Sequence, residues 1–125
     1  MTDSRRELGA QGELRAERYL RSRGYRIAGR NVRTGGVELD LVAVRGRRVI
    51  FVEVKTRRNS RYGSASSAVD VRKQARIARG AAAWLRSEPR WRFDSVRFDV
   101  ITCHYDESGD GAWHLEHWPG AFDAP

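Results

Sequence analysis

The stretch VIFVEVKTR, Val49 to Arg57, decides how this chain is read. Its apolar residues are those of a buried β-strand, yet Glu53 and Lys55 stand two residues apart inside it. Side chains alternate along a strand, so Ile50, Val52 and Val54 share one face and Phe51, Glu53 and Lys55 the other. Glu53 and Lys55 are then about 6.6–6.8 Å apart along the strand. An isolated Glu-x-Lys reads as a solvated face with a weak salt bridge. Here the flanks are too apolar for a fully wet strand, and the charges need another account.

The preceding segment VELDLVAV, Val37 to Val44, reads as a strand running back along the first. Regular alternation puts Glu38, Asp40 and Val42 on one face and Leu39, Leu41 and Ala43 on the other. A hairpin loop of two residues (Gly46-Arg47) or four (Arg45 to Arg48) brings Asp40 opposite Glu53, whereas three residues turn it away. Two carboxylates side by side repel unless a cation lies between them. Oxygen ligands of this kind suit a hard divalent ion. Before these strands, Ser4 to Arg23 reads as a helix with Gly9, Glu13, Ala16 and Leu20 on its sheet-facing stripe and Gly24 as its stop. Burying an unpaired Glu13 there costs roughly several kcal/mol. Glu13 therefore either pairs with an arginine or joins Asp40 and Glu53 around a metal, and Glu17, one turn along, is its fallback.

Working outward, Tyr25 to Val32 is a short strand and Thr34-Gly35-Gly36 a turn. After the Glu-x-Lys strand comes a polar loop, Arg57 to Ser64. A second helix begins at Ser67 or Asp70, faces inward with Gln74, Ile77, Ala78, Ala81 and Leu85, and ends at Pro89. Val96 to His104 is a further strand, 107–111 a turn, and Ala112 to Trp118 a last short strand before the tail at Ala121-Phe122. A helical crossover makes the third and fourth strands parallel, while the hairpin before them is antiparallel. The expectation is one α/β domain with a mixed sheet flanked by helices.

Charge points to a partner. The 125 residues carry a net charge of +8, which in a small domain favours a nucleic-acid partner over a surface kept cationic for solubility. Of 24 basic residues only Lys55 and Lys73 are lysines, which suggests places where a compact point charge is wanted. Arg72, Arg76, Arg79 and Arg86 line the outer side of the second helix. No apolar run is long enough to span a membrane and the N-terminus lacks a signal segment, so a membrane partner is not expected. The single cysteine, Cys103, permits no internal disulfide, which fits the cytoplasm. His104, His114 and His117 with Cys103 match no standard zinc spacing. Asp99 is expected to pair with an arginine, and the four tryptophans to serve mainly as core or cover.

These residues resemble the YraN family of uncharacterised bacterial proteins, similar to archaeal Holliday-junction resolvases and the PD-(D/E)xK superfamily. The resemblance runs from Gly12-Glu13, Ala16, Tyr19-Leu20 and Gly24-Tyr25 through Arg30-Asn31 to Glu38-Leu39-Asp40-Leu41-Val42-Ala43. It continues over Phe51 to Arg57, Tyr62-Gly63, Lys73, Arg97 to Ile101 and Ala121-Phe122. Leu39 stands where the superfamily motif has proline, and Val37 separates Gly36 from Glu38. The resemblance implies a restriction-endonuclease-like αβββαβ core. It further implies Asp40, Glu53 and Glu13 as ligands of Mg²⁺ (or Mn²⁺), and Lys55 as the group that orients the attacking water. Such an ion neutralises a phosphodiester and makes a bound water more acidic. The expected activity is binding of DNA, structured or branched, and its Mg²⁺-dependent cleavage. Phosphate contacts are expected from Arg57, Arg58, Tyr62, Arg72, Lys73, Arg76 and Arg79. By analogy with resolvases, which cut two strands symmetrically, a homodimer is expected. The rivals are a non-catalytic nucleic-acid-binding protein of the same fold and a ribosome- or RNA-associated basic protein.

Overall fold

The computed structural model describes residues 4–58, 69–88, 92–107 and 111–124. Helix α1 spans Ser4–Ser22, and β1 (Arg26–Thr34), β2 (Val37–Arg45) and β3 (Arg48–Arg58) follow it. Helix α2 (Val71–Ser87) leads to β4 (Ser95–Tyr105) and β5 (Trp113–Phe122). The strands form one five-stranded sheet in the order β1-β2-β3-β4-β5. Only β3 and β4 are parallel, because α2 carries the chain back across the sheet between them. The expected αβββαβ order holds, with β5 as an antiparallel edge beside β4.

Glycines set the two hairpins. Gly35 and Gly36 both adopt positive φ (60° and 75°), which a tight two-residue turn demands and only glycine meets cheaply. The β2–β3 loop is also two residues, since Arg45 pairs with Arg48, and Gly46 takes φ 61° at its first position. That loop length sets the register that matters: Leu41 faces Val52, and the next step along places Asp40 level with Glu53.

Each helix covers one face. Ala16 and Leu20 of α1 pack with Leu41, Ala43, Ile50, Val52, Val54 and Ile101. Ile77, Ala81 and Trp84 of α2 pack with Val42, Val44, Phe51, Phe98 and Val100. Trp84 belongs to this core, edge-on to Phe51 at 5.8 Å, and joins the inward face expected for α2. Helix α1 comes so close to β3 that a Cβ on Gly12 would lie 2.0 Å from the Thr56 hydroxyl.

Two expectations are corrected. Leu39 was placed with Leu41 and Ala43, but it packs on the α2 side with Val42, so the faces of β2 switch around Asp40. The switch lies opposite Asn31, which sits between the pairs Arg30–Leu41 and Val32–Leu39. Asn31 is the one described non-glycine residue with positive φ, at 49°. Secondly, the last strand does not end at Trp118 but runs through Pro119 and Gly120 to Phe122, which pairs with Phe98. Proline is tolerated there because β5 is an edge strand.

Candidate functional site

Asp40, Glu53, Lys55 and Lys73 meet where β2 and β3 part. The cross-strand pairing ends at Leu41–Val52, and beyond it the side chain of Asp40 accepts the amide N–H of Val54 at 2.9 Å. A carboxylate thus replaces the strand as partner of that amide, which lays Asp40 alongside β3 and level with Glu53. Glu53, on the Phe51 side, is buried at 4% exposure.

The electrostatics follow from that crowding. Burial, then the charge of Glu53 and a hydrogen bond with it, push the Asp40 carboxyl up to about 8. Burial and a neighbouring carboxylate both favour the protonated form of Asp40. Glu13, half-buried on α1, is also raised, chiefly by burial, with Glu38 and Glu53 adding repulsion and a hydrogen bond from Asn31 opposing it. Burial and then the neighbouring Lys73 charge lower the Lys55 ammonium below the usual lysine range. Lys73 loses basicity by burial but regains more from its bond to Glu53 and the nearby carboxylates, so it ends raised.

Two cations already attend this pair. Lys73 Nζ lies 2.7 Å from Glu53 Oε2, and Lys55 Nζ lies 3.8 Å from the same oxygen. Lys73 was expected at a phosphate and is instead bound inside the acidic site. Glu17 is committed elsewhere, to Arg30 and Arg21, and does not serve as fallback for Glu13. Glu13 feels the charges of Glu53 and Asp40 but, among the described residues, no three His, Cys, Asp or Glu side chains converge into a metal-binding group. The donor set whose oxygens would suit a hard cation is therefore the pair Asp40 and Glu53.

The remaining candidates scatter over the surface. Arg72 and Arg76 project from the exposed side of α2, and Arg79 donates from Nε to the Gly35 carbonyl at 3.3 Å. Arg57 is exposed near the end of β3, and Arg58 pairs with Glu107 at 3.2 Å. Tyr62 and Ser67 lie outside the described residues, while Asp70 caps α2. Sequence reading missed Asn31 as a partner of Glu13, and its only signal was an asparagine inside a strand.

A second buried acid lies on β4. Asp99 accepts two bonds from Arg97 (2.8 Å each), meets His117 Nε2 at 2.7 Å and accepts the Gly120 amide at 3.0 Å. Tyr19 bonds the other nitrogen of His117, and Tyr25 accepts from Arg97. The expected arginine partner of Asp99 is present. His117 is tied into this network, and the other two histidines form a ring contact with each other across β4 and β5.

Residues 12–103 match the profile of the uncharacterised protein family UPF0102. A UPF0102 protein of Syntrophotalea carbinolica is 48% identical over 123 residues, 98% of this chain and 97% of the relative. Another, of Syntrophomonas wolfei, is 43% identical over 117 residues, 94% of this chain and 98% of the relative. A third, of Ectopseudomonas mendocina, is 38% identical over 121 residues, 97% of this chain and 98% of the relative.

Proposed function

The chain belongs to the uncharacterised protein family UPF0102, and we propose that it is a nuclease-like protein that binds DNA and cleaves it with a divalent ion, Mg²⁺ or Mn²⁺. The observation that carries this reading is the fork between β2 and β3, where part-buried Asp40 lies against buried Glu53 and both lysines of the chain converge on Glu53. Crowding of this kind destabilises a purely structural acid pair, and it suits a site whose carboxylates are to hold a cation.

Asp40 and Glu53 would hold the ion, which when bound supplies Lewis acidity toward a phosphodiester and toward water. Asp40 must give up its retained proton to serve as ligand, and the Val54 amide keeps its carboxylate oriented meanwhile. Lys55 stands beside the pair as a compact ammonium, which would orient the attacking water and stabilise charge developing on the phosphate. The net charge of +8 supplies phosphate attraction, with Arg72 and Arg76 exposed on one helix. A dimer would give two such sites for symmetrical cutting. One observation favours the second reading, a binding protein that does not cut: Lys73 already satisfies Glu53 without any metal.

Single-turnover cleavage and binding of duplex, nicked, branched and single-stranded DNA, with Mg²⁺, Mn²⁺ or EDTA, decide between them. Asp40→Asn and Lys55→Ala should abolish cleavage and leave binding intact. Lys55→Arg should fail too, because a guanidinium is larger and cannot take an ammonium's place beside a bound water. Binding should weaken by orders of magnitude between about 50 and about 200 mM salt if roughly 6–10 phosphates are contacted. Binding without metal-dependent cleavage on any substrate selects the second reading.

A further inference from the structure

Among 24 basic residues two are lysines, and both ammonium groups point at one oxygen, Glu53 Oε2. They arrive from different elements. Lys55 comes from the same strand as Glu53, and Lys73 is the third residue of α2. The backbone at Lys73 is pinned: Asp70, the cap of α2, accepts the Lys73 amide at 2.8 Å, and the Gln74 side chain donates to the Val69 carbonyl at 3.0 Å. The helix start is therefore built so that its third side chain enters the fork, while its neighbours Arg72 and Arg76 stay outside. A residue meant only for phosphate would share their exposure.

Like charge sets the two kinds of cation in competition. Lys73 Nζ stands 2.7 Å from Glu53 Oε2, so a divalent ion bound to that same oxygen at about 2.0–2.1 Å would lie within a few ångströms of an ammonium. From this we infer that Lys73 is a built-in counter-ion, which holds Glu53 while no divalent ion is bound and must leave Oε2 for one to bind. The inference rests on the metal reading above and adds to it a regulation of the site: binding of the ion is coupled to release of Lys73. The lysine stabilises the metal-free protein by neutralising a buried charge, and by the same contact it weakens metal affinity.

The test is Mn²⁺ titration by calorimetry, without DNA and at fixed ionic strength, with thermal melts in EDTA and in Mn²⁺. Lys73→Met should bind Mn²⁺ roughly 5- to 100-fold more tightly than wild type, the usual range for coupled sites. It should also melt lower than wild type in EDTA and recover that loss in Mn²⁺. Lys73→Gln, which keeps a hydrogen bond to Glu53 without the charge, carries the same expectation should the methionine variant not fold. Lys73→Arg should bind Mn²⁺ no more tightly than wild type. Equal Mn²⁺ affinity in wild type, Lys73→Met and Lys73→Gln, with Asp40→Asn weakened, overturns the counter-ion role alone. Equal affinity in wild type and Asp40→Asn overturns the metal reading itself.

Discussion

Asp99 and Asp40 lie on strands β4 and β2 of one sheet, with β3 between them, and they meet burial in opposite ways. Asp99 is fully buried, yet Arg97, His117 and the Gly120 amide hold its carboxyl below the ordinary range. Burial opposes ionisation there and the donors overcome it. Asp40 has the Val54 amide as donor and a second carboxyl beside it, and its pKa rises to about 8. Each sits beside a residue in the left-handed region, Gly120 at 60° and Asn31 at 49°. Both are thus built with local backbone effort, but at Asp99 the donors outweigh burial and close the network, while at Asp40 burial and the neighbouring acid prevail although Lys73 and Lys55 attend Glu53, which leaves that network open. The closed network works for stability.

The largest expected effect would break the closed side. Asp99→Ala leaves part-buried Arg97 and His117 without the fully buried carboxylate they share and should cost about 3–5 kcal/mol, the range for breaking a buried ion pair. Urea unfolding at neutral pH measures it. A loss under about 1 kcal/mol would show that Asp99 is no more constrained than a surface acid. The pH dependence has a definite direction. Because Asp99 is depressed, its contribution is present above the unfolded carboxyl value and disappears as the pH falls through its folded one.

At Asp40 the sign reverses. Its folded pKa of about 8 lies above the unfolded value, so between about pH 4 and 8 the native state holds a proton that the unfolded chain has released. Stability in EDTA should therefore fall as pH rises across that window, by up to about 1 kcal/mol per unit near its centre. Asp40→Asn keeps an oxygen for the Val54 amide, removes the titration and should be more stable than wild type by about 1–3 kcal/mol at pH 8. Chemical denaturation of both proteins in EDTA from pH 5 to 8 checks this. A variant less stable than wild type at pH 8 would mean that the fork is not crowded with acid, and the contrast with Asp99 would disappear.

Much of this was open to reading from the residues. The Glu-x-Lys strand, the glycine turns and the stripe of α1 give the element order, since period and turn chemistry are local. A two-residue loop at Gly46-Arg47 was enough to bring Asp40 level with Glu53. The face switch between Leu39 and Leu41 was not legible, because it depends on the backbone of Asn31 and on Asp40 lying sideways to reach Val54. Lys73 was legible as one of two lysines but not as a partner of Glu53, since that contact joins a helix and a strand 20 positions apart in sequence. The continuation of β5 past Pro119 was hidden by the rule that proline ends strands, which an edge position relaxes. The Asp99 network was half visible: its arginine was expected, whereas His117 looked like one of a loose group of histidines.

The smallest expected effect probes the backbone beneath the open site. Asn31 has two possible reasons to be there, its positive φ and its hydrogen bond to Glu13. Asn31→Gly keeps the conformation and loses the bond, and the greater freedom of glycine in the unfolded chain offsets the relief of strain, so stability should change by no more than about 1 kcal/mol. Asn31→Ala loses the bond and also removes the polar side chain that lets asparagine tolerate the left-handed region, which adds about 1 kcal/mol. The gap between the two variants in urea unfolding isolates the backbone. A clear gap says that Asn31 is chosen to let β1 and β2 switch faces beside Asp40, as Gly120 serves Asp99. Equal losses say that Asn31 is chosen for Glu13, and the Glu13 carboxyl should then titrate higher in both variants by carboxylate NMR, because the one contact that lowers it has gone.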